Sequence, residues 1–120
     1  MASRGTILVV DDDEGVLGFI QMALEDEGYE VITAEHGAAA LDILRQQPVQ
    51  LILLDLRMPV MDGWQFARAY RQMPLHHAPI VVVSAGRDGH EQAAEIAAEA
   101  YLARPLDLNH LLEVVARYTT

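Results

Sequence analysis

The stretch ILLDLRMPVMDG (residues 52–63) sets a single acid, Asp55, at the end of an aliphatic run, with Arg57 two residues later. Strands buried on both faces of a parallel sheet read as continuous apolar runs that stop at turn residues. The plain explanation of Asp55 is therefore a polar residue marking the first turn. The alternative is a carboxylate stationed at a strand end for chemistry. The choice rests on what the rest of the chain brings to the same place.

Short aliphatic runs alternate with helical patterns along the whole chain. The runs are TILVVD (6–11), YEVITA (29–34), LILLD (51–55), IVVVS (80–84) and AYLA (100–103). Between the first two, EGVLGFIQMALEDEG (14–28) places Val16, Ile20, Ala23 and Leu24 on one helical face, and Gly28 supplies a stop. AAALDILRQQP (38–48) repeats the pattern with Leu41 and Leu44, and WQFARAYRQMP (64–74) with Phe66, Ala67 and Tyr70. HEQAAEIAAEA (90–100) is alanine-rich, so its helix should be the least firmly packed. DLNHLLEVVARY (107–118) opens on Asp107 as N-cap and should turn Leu108, Leu111, Leu112 and Val115 inward. Five strands alternating with five helices specify an α/β, doubly wound sandwich: one parallel sheet with helices on both faces.

In such a sheet, ligands bind outside the carboxyl ends of the strands, where the strand order reverses. Strand one ends at Asp11 and Asp12, with Asp13 and Glu14 leading into a helix; strand three ends at Asp55, strand four at Ser84, and Arg104 follows strand five. If strands one and three are neighbours, three carboxylates converge and repel by about 4 kcal/mol per pair at a separation of about 4 Å and an effective dielectric near 20. A cation belongs among them. Hard oxygen ligands with room for water suit Mg²⁺. Taken alone, VVDDDE also fits a solvated acidic helix start favoured by the helix dipole, but Asp55 at a second strand end makes that the weaker explanation.

Composition narrows the function classes. A chain of 120 residues, 52% hydrophobic, has the size and core of one domain over 1–120. A formal charge of −10 disfavours direct binding to nucleic acid or an anionic membrane surface. The absence of cysteine removes disulfide and thiolate chemistry and permits a reducing cytoplasm. The apolar stretch in MASRGTILVVDDDE is too short for a signal peptide or membrane span, so a cytoplasmic protein is expected. All eight basic residues are arginine; lysine is absent.

On the acidic pair of VVDD, the Asp of LLDLRMPVMDG, the hydroxyl of VVVSA and the aromatic and basic-Pro pair of YLARP, the chain resembles the receiver domains of bacterial two-component response regulators, the chemotaxis response regulator type among them. That resemblance implies a flavodoxin-like (βα)5 fold with strand order 2-1-3-4-5. It implies Asp55 as phosphoacceptor, Asp12 as direct Mg²⁺ ligand, Asp11 as holder of a metal-bound water, and the backbone carbonyl of Arg57 as a further ligand. Ser84 would donate its hydroxyl to the phosphoryl group and Tyr101 would rotate as the signal spreads. Met58, Pro59 and Gly63 match the loop after the acceptor, and the Arg104–Pro105 bond is expected to be cis. The implied partners are a sensor histidine kinase or phosphotransfer protein, and an output partner on the face of helix 4, strand 5 and helix 5.

Three departures stand against the family pattern. Arg104 replaces its lysine, and the two cations are not interchangeable at a tightly fitted site. The Arg57 guanidinium could pair with the acids, cover the phosphoryl group or lie in solvent. Ala97 stands where glycine is usual, so the turn before strand five is open to a shift. Two other classes compete. A haloacid dehalogenase-type phosphohydrolase would need a second Asp where Arg57 stands, and a lysine. A pseudo-receiver interaction module, uncoupled from phosphorylation by Arg104, is the nearer rival. His76 and His77 are read as solvated loop residues, and His36, His90 and His110 as scattered.

Overall fold

The computed structural model describes residues 3–85 and 88–119. Five strands, β1 (Thr6–Val10), β2 (Glu30–Ala34), β3 (Leu51–Leu54), β4 (Ile80–Ser84) and β5 (Ala100–Ala103), alternate with five helices, α1 (Glu14–Asp26), α2 (Gly37–Gln46), α3 (Gly63–Arg71), α4 (Gly89–Glu95) and α5 (Leu108–Thr119). All strand pairs are parallel, in the order β2-β1-β3-β4-β5. No helix among the described residues is long and apolar enough to cross a membrane.

Strand parity divides the core in two. Ile7, Val9, Leu51, Leu53, Val81 and Val83 pack with Leu17, Ile20 and Leu24 of α1 and Leu111, Val114 and Val115 of α5. Leu8, Val10, Ile52, Leu54, Ile80 and Val82 pack on the other side with Leu41, Leu44, Phe66 and Tyr70 of α2 and α3. Each such side chain contributes roughly 1.5–3 kcal/mol by leaving water, so β1 and β3, covered on both faces, are held firmly in the middle of the sheet. Val10 lies opposite Leu54, and the Asp55 N–H donates to the Val10 carbonyl at 2.9 Å. The residues that follow the two strands therefore emerge side by side.

Local signals set most helix ends. Gly28 ends α1 at φ 92°, and its N–H returns to Glu25 at 3.0 Å. Asp107 caps α5, accepting the His110 N–H at 3.0 Å. Asp62 and Gln65 form a reciprocal capping box at the start of α3.

Several expectations shift. The inward stripe of α1 runs through Leu17, with Val16 and Ala23 only partly covered; Val16 lines the rim beside Pro105 instead. In α5, Val114 is buried, Leu112 is partly covered and Leu108, in the first turn, is 45% exposed. At the turn before β5, Ala97 adopts φ 53°, the Ala98 N–H bonds Ala93 at 2.9 Å, and β5 pairs with β4 from Val81 with Ala100 to Ser84 with Ala103. Ala97 thus enters the left-handed region itself, at a cost of about 1–2 kcal/mol. Helix α4 is the short one, seven residues long, and buries the Gln92 side chain, whose Oε1 has no hydrogen-bond partner among the described residues.

Candidate functional site

The carboxylates of Asp11, Asp12 and Asp55 lie within 4.8 Å of one another. Their placement is the direct outcome of β1 and β3 being neighbours. Asp11 and Asp55 are buried and Asp12 is exposed. Asp13, next in line, belongs to the helix: its Oδ1 accepts from Gly15 at 2.9 Å and Val16 at 3.2 Å, capping α1.

Burial sets the electrostatics. It lifts the Asp11 carboxyl from 3.8 to about 6, against the opposing Asp13 N–H and the Arg104 guanidinium. Asp55 is raised as well, chiefly by burial, with Arg104 again opposing. Acids that resist ionisation where they stand are acids that a cation would stabilise.

One cation is already present. Nη2 of Arg104 is ion-paired with Asp11 Oδ2 and lies 3.8 Å from Asp55 Oδ2. Arg104 precedes a cis bond to Pro105 and reaches back over the sheet from the end of β5, its N–H donating to the Ser84 carbonyl at 3.2 Å. In this arrangement the guanidinium favours Asp11 over Asp55.

Arg57 takes a different course. Its side chain is exposed, with the guanidinium carbon 5.8 Å from the centre of the Trp64 ring. Of the three destinations open to it, solvent beside an aromatic face is the one found. Its backbone N–H points to Asp55 Oδ1 at 3.4 Å, a weak contact. The following loop is tightly built: Gly63 donates to the Leu56 carbonyl at 2.9 Å, and a Cβ there would fall 2.7 Å from Leu56 Cα.

Ser84 is buried at the end of β4, its hydroxyl making a long 3.3 Å bond to the Ala85 carbonyl. The Tyr101 hydroxyl donates to the Ser84 carbonyl at 3.3 Å, and its ring meets the edge of His90. Phe66 and Tyr70 are core residues that stack on each other, while Trp64 is partly exposed and donates to Glu95 at 2.9 Å. His76 and His77 are exposed, His77 bonding the Met73 carbonyl at 2.9 Å. His36 has a structural post as N-cap of α2, accepting the Ala39 N–H on Nδ1 at 3.1 Å.

The Arg104 pairing with Asp11 and the capping box were not anticipated from the sequence. The box carries a legible signal, Asp-x-x-Gln ahead of an apolar-periodic run. The pairing carries only the general one, that clustered acids need a cation.

Known proteins carry the same frame. The response regulator receiver domain family matches residues 7–116. The transcriptional regulatory protein PrrA of Mycobacterium tuberculosis is 39% identical over 113 residues, covering 92% of this chain and 47% of PrrA. The sensor histidine kinase GacS of Pseudomonas protegens is 34% identical over 119 residues, covering 94% of this chain and 13% of GacS. The chain thus spans less than half the length of either relative. The chemotaxis response regulator CheY4 of Vibrio cholerae superposes with a TM-score of 0.85 at 29% identity, covering 94% of this chain and 97% of that one. With the sheet order, the acids at the ends of β1 and β3 and a match over nearly its whole length, this chain belongs to the receiver domain family of two-component response regulators.

Proposed function

We propose that this receiver domain takes a phosphoryl group onto Asp55 from a phosphohistidine of a sensor histidine kinase or phosphotransfer protein, in a Mg²⁺-dependent reaction in the cytoplasm. The observation that carries this reading is the meeting of Asp55 with two further acids and one guanidinium at the carboxyl end of the sheet.

The donor set fits a hard divalent ion. Three carboxylates lie within reach of one point, two of them pushed by burial toward the neutral form so that a cation would favour their charged state, and the exposed Asp12 leaves room for water. Asp12 and Asp55 would hold Mg²⁺ directly, Asp11 through a bound water, and the Arg57 carbonyl would complete the protein ligands. When bound, the ion would neutralise the acids and draw charge from the phosphoryl oxygens.

The chain's own groups supply the rest. A carboxylate oxygen of Asp55 attacks phosphorus as the donor's N–P bond breaks, and the electron pair leaves with the imidazole nitrogen. Position and charge neutralisation do most of the work, because the phosphoryl group passes through a loose transition state. The Ser84 hydroxyl, which among the described residues makes a long 3.3 Å bond, can turn to a phosphoryl oxygen. Arg104 can give a charge-assisted hydrogen bond to another. Tyr101, tied to the Ser84 carbonyl, would then shift and bias the α4–β5–α5 face toward an output partner.

The second reading is a pseudo-receiver that binds partners without phosphorylation. The Arg104 pairing with Asp11, away from the acceptor, favours it. Incubation with a small phosphodonor and Mg²⁺, followed by intact mass, separates the two. One added phosphoryl mass, absent in Asp55→Asn, supports acceptance at Asp55. No added mass, or undiminished labelling of Asp55→Asn, overturns it.

A further inference from the structure

Helix α3 reads GWQFARAYR and carries two arginines, Arg68 and Arg71, and no acid. In a chain of formal charge −10 that is a local reversal of sign. Both side chains are exposed. Arg45 and Arg117, exposed on α2 and α5, each have an acid at hand, Asp42 at 2.7 Å and Glu113 at 3.1 Å. The α3 pair does not: among the described residues the Arg68 side chain has no hydrogen bond, ion pair or ring contact, and Arg71 gives Nη2 to the Ala97 carbonyl at a long 3.3 Å. The two guanidiniums border a groove of about 400 Å³ between α3 and α4, which the buried Ala67 and Ile96 line together with Trp64 and Glu95. The Glu95 carboxylate already accepts the Trp64 indole N–H at 2.9 Å. The Arg57 guanidinium, 5.8 Å from the centre of the Trp64 ring, adds a third positive charge beside it.

From this arrangement we infer that the α3–α4 groove is a docking site for an acidic helical segment of a partner protein. Arg68 and Arg71 are three residues apart, so their Cβ atoms stand about 5–6 Å from each other on one helix surface. Carboxylates one turn apart on a partner helix meet that spacing, and an apolar residue on the same face can then reach Ala67 and Ile96. Arg71 keeps its remaining N–H donors for such a carboxylate. Charge selects the occupant. An acidic partner is repelled by most of this chain's surface and attracted here, which fixes where it lands. A nucleic-acid backbone needs a run of cations and finds only this short cluster. No residue lining the groove takes part in the phosphoryl-transfer reading, so the inference stands apart from it.

Trp64 is the single tryptophan of the chain, so its fluorescence reports the groove directly. The probe is a blocked helical peptide of about 15 residues, built from alanine, leucine and glutamate with glutamates at i and i+4 beside a leucine stripe, titrated into the whole chain. A matched peptide carries glutamine for every glutamate. The glutamate peptide should give a saturable change in Trp64 emission. Its binding should weaken about fivefold or more in the double variant Arg68→Gln, Arg71→Gln, the factor expected of two exposed ion pairs, and stay near wild type in the remote charge control Arg45→Gln. The glutamine peptide should bind wild type more weakly by a similar factor, a comparison that needs no variant to fold. No saturable change, equal affinities for the two peptides, a double variant that binds as wild type does, or an equal loss in Arg45→Gln would each overturn the assignment. Trp64 emission that changes with protein concentration in the absence of peptide would place a second copy of the chain in the groove and overturn the partner.

Discussion

The ring of Tyr101 lies so close over Gly89 that a Cβ at position 89 would stand 2.0 Å from its Cε1. The same ring meets His90 edge-on, centroids 4.8 Å apart, and its hydroxyl reaches the Ser84 carbonyl. Tyr101 is only half-buried, so the ring has somewhere to go. Gly89→Ala should expel it instead of unfolding α4. The expected cost is about 1 kcal/mol, the scale of one lost hydrogen bond. In NMR spectra the His90 ring protons should lose their ring-current shift; unchanged His90 shifts would contradict the account.

Val60 offers a gain. It sits at φ 68° in the loop after Asp55 with 78% of its surface exposed, and a β-branched residue with positive φ is a true outlier. Nothing is packed that its removal would lose. Val60→Gly should raise stability by about 1 kcal/mol, and Ala97→Gly, at φ 53°, by a similar amount. Urea denaturation should show a higher midpoint with an unchanged slope. A lower midpoint for Val60→Gly would mean the loop draws something from the valine beyond its backbone.

Burial of Asp11 fixes a sign for pH. Its carboxyl titrates near 3.8 when unfolded and near about 6 in the folded chain, so between those values the folded state holds a proton that the unfolded state has released. Stability from this group is complete below about pH 4 and is lost as pH rises through about 6, by at most about 3 kcal/mol at 1.36 kcal/mol per unit. Asp55, raised in the same direction, adds to the fall. Metal-free Asp11→Asn should flatten this part of the melting profile between pH 4 and 7. Under the Mg²⁺ reading, the stabilisation by a fixed metal concentration should grow across the same window, reaching about 1.4 kcal/mol at ten times Kd.

The two phenylalanines should behave oppositely. Phe66 is fully buried and stacks on Tyr70 with centroids 5.8 Å apart, so Phe66→Ala should cost about 3–5 kcal/mol. Phe19, 42% exposed on α1, should cost well under about 1 kcal/mol beyond helix propensity, since alanine is the better helix former. Comparable losses would mean that the α1 surface is covered in solution.

Much of the frame was legible because a parallel sheet leaves little choice: LILL and IVVV are apolar without alternation, and such strands must be covered on both sides. The acids were legible for the same reason, since a carboxylate directly after an apolar run has to lie at a strand end. What escaped was governed by side-chain reach. Arg104 has several rotatable bonds and two acids within range, and no sequence rule says which it will take. Arg57 found the Trp64 face, seven residues on, through a loop whose course the sequence leaves open. The stripe of α1 ran through Leu17 because Val16 faces the rim near Pro105, a neighbour eighty-nine residues away. Leu108 looked inward by periodicity, yet it sits in the first turn of α5, before the helix has settled onto the sheet. His36 as a helix cap was hidden because histidine is not an ordinary residue for that post.

A sheet covered on both faces has a consequence for how the chain can fail. Leu51 and Leu53 face one half of the core, Ile52 and Leu54 the other. A slip of β3 by one residue would exchange the two faces and draw either Gln50 or Asp55 into a position now fully buried by Leu51 or Leu54. The same slip would carry Asp55 about 3.3 Å along the strand, away from Asp11. The buried strand and the acid that follows it thus hold one and the same alignment of β3. Single-residue insertions there should therefore register as lost yield of folded protein, so that a screen scoring expression alone would already expose a misaligned acid cluster.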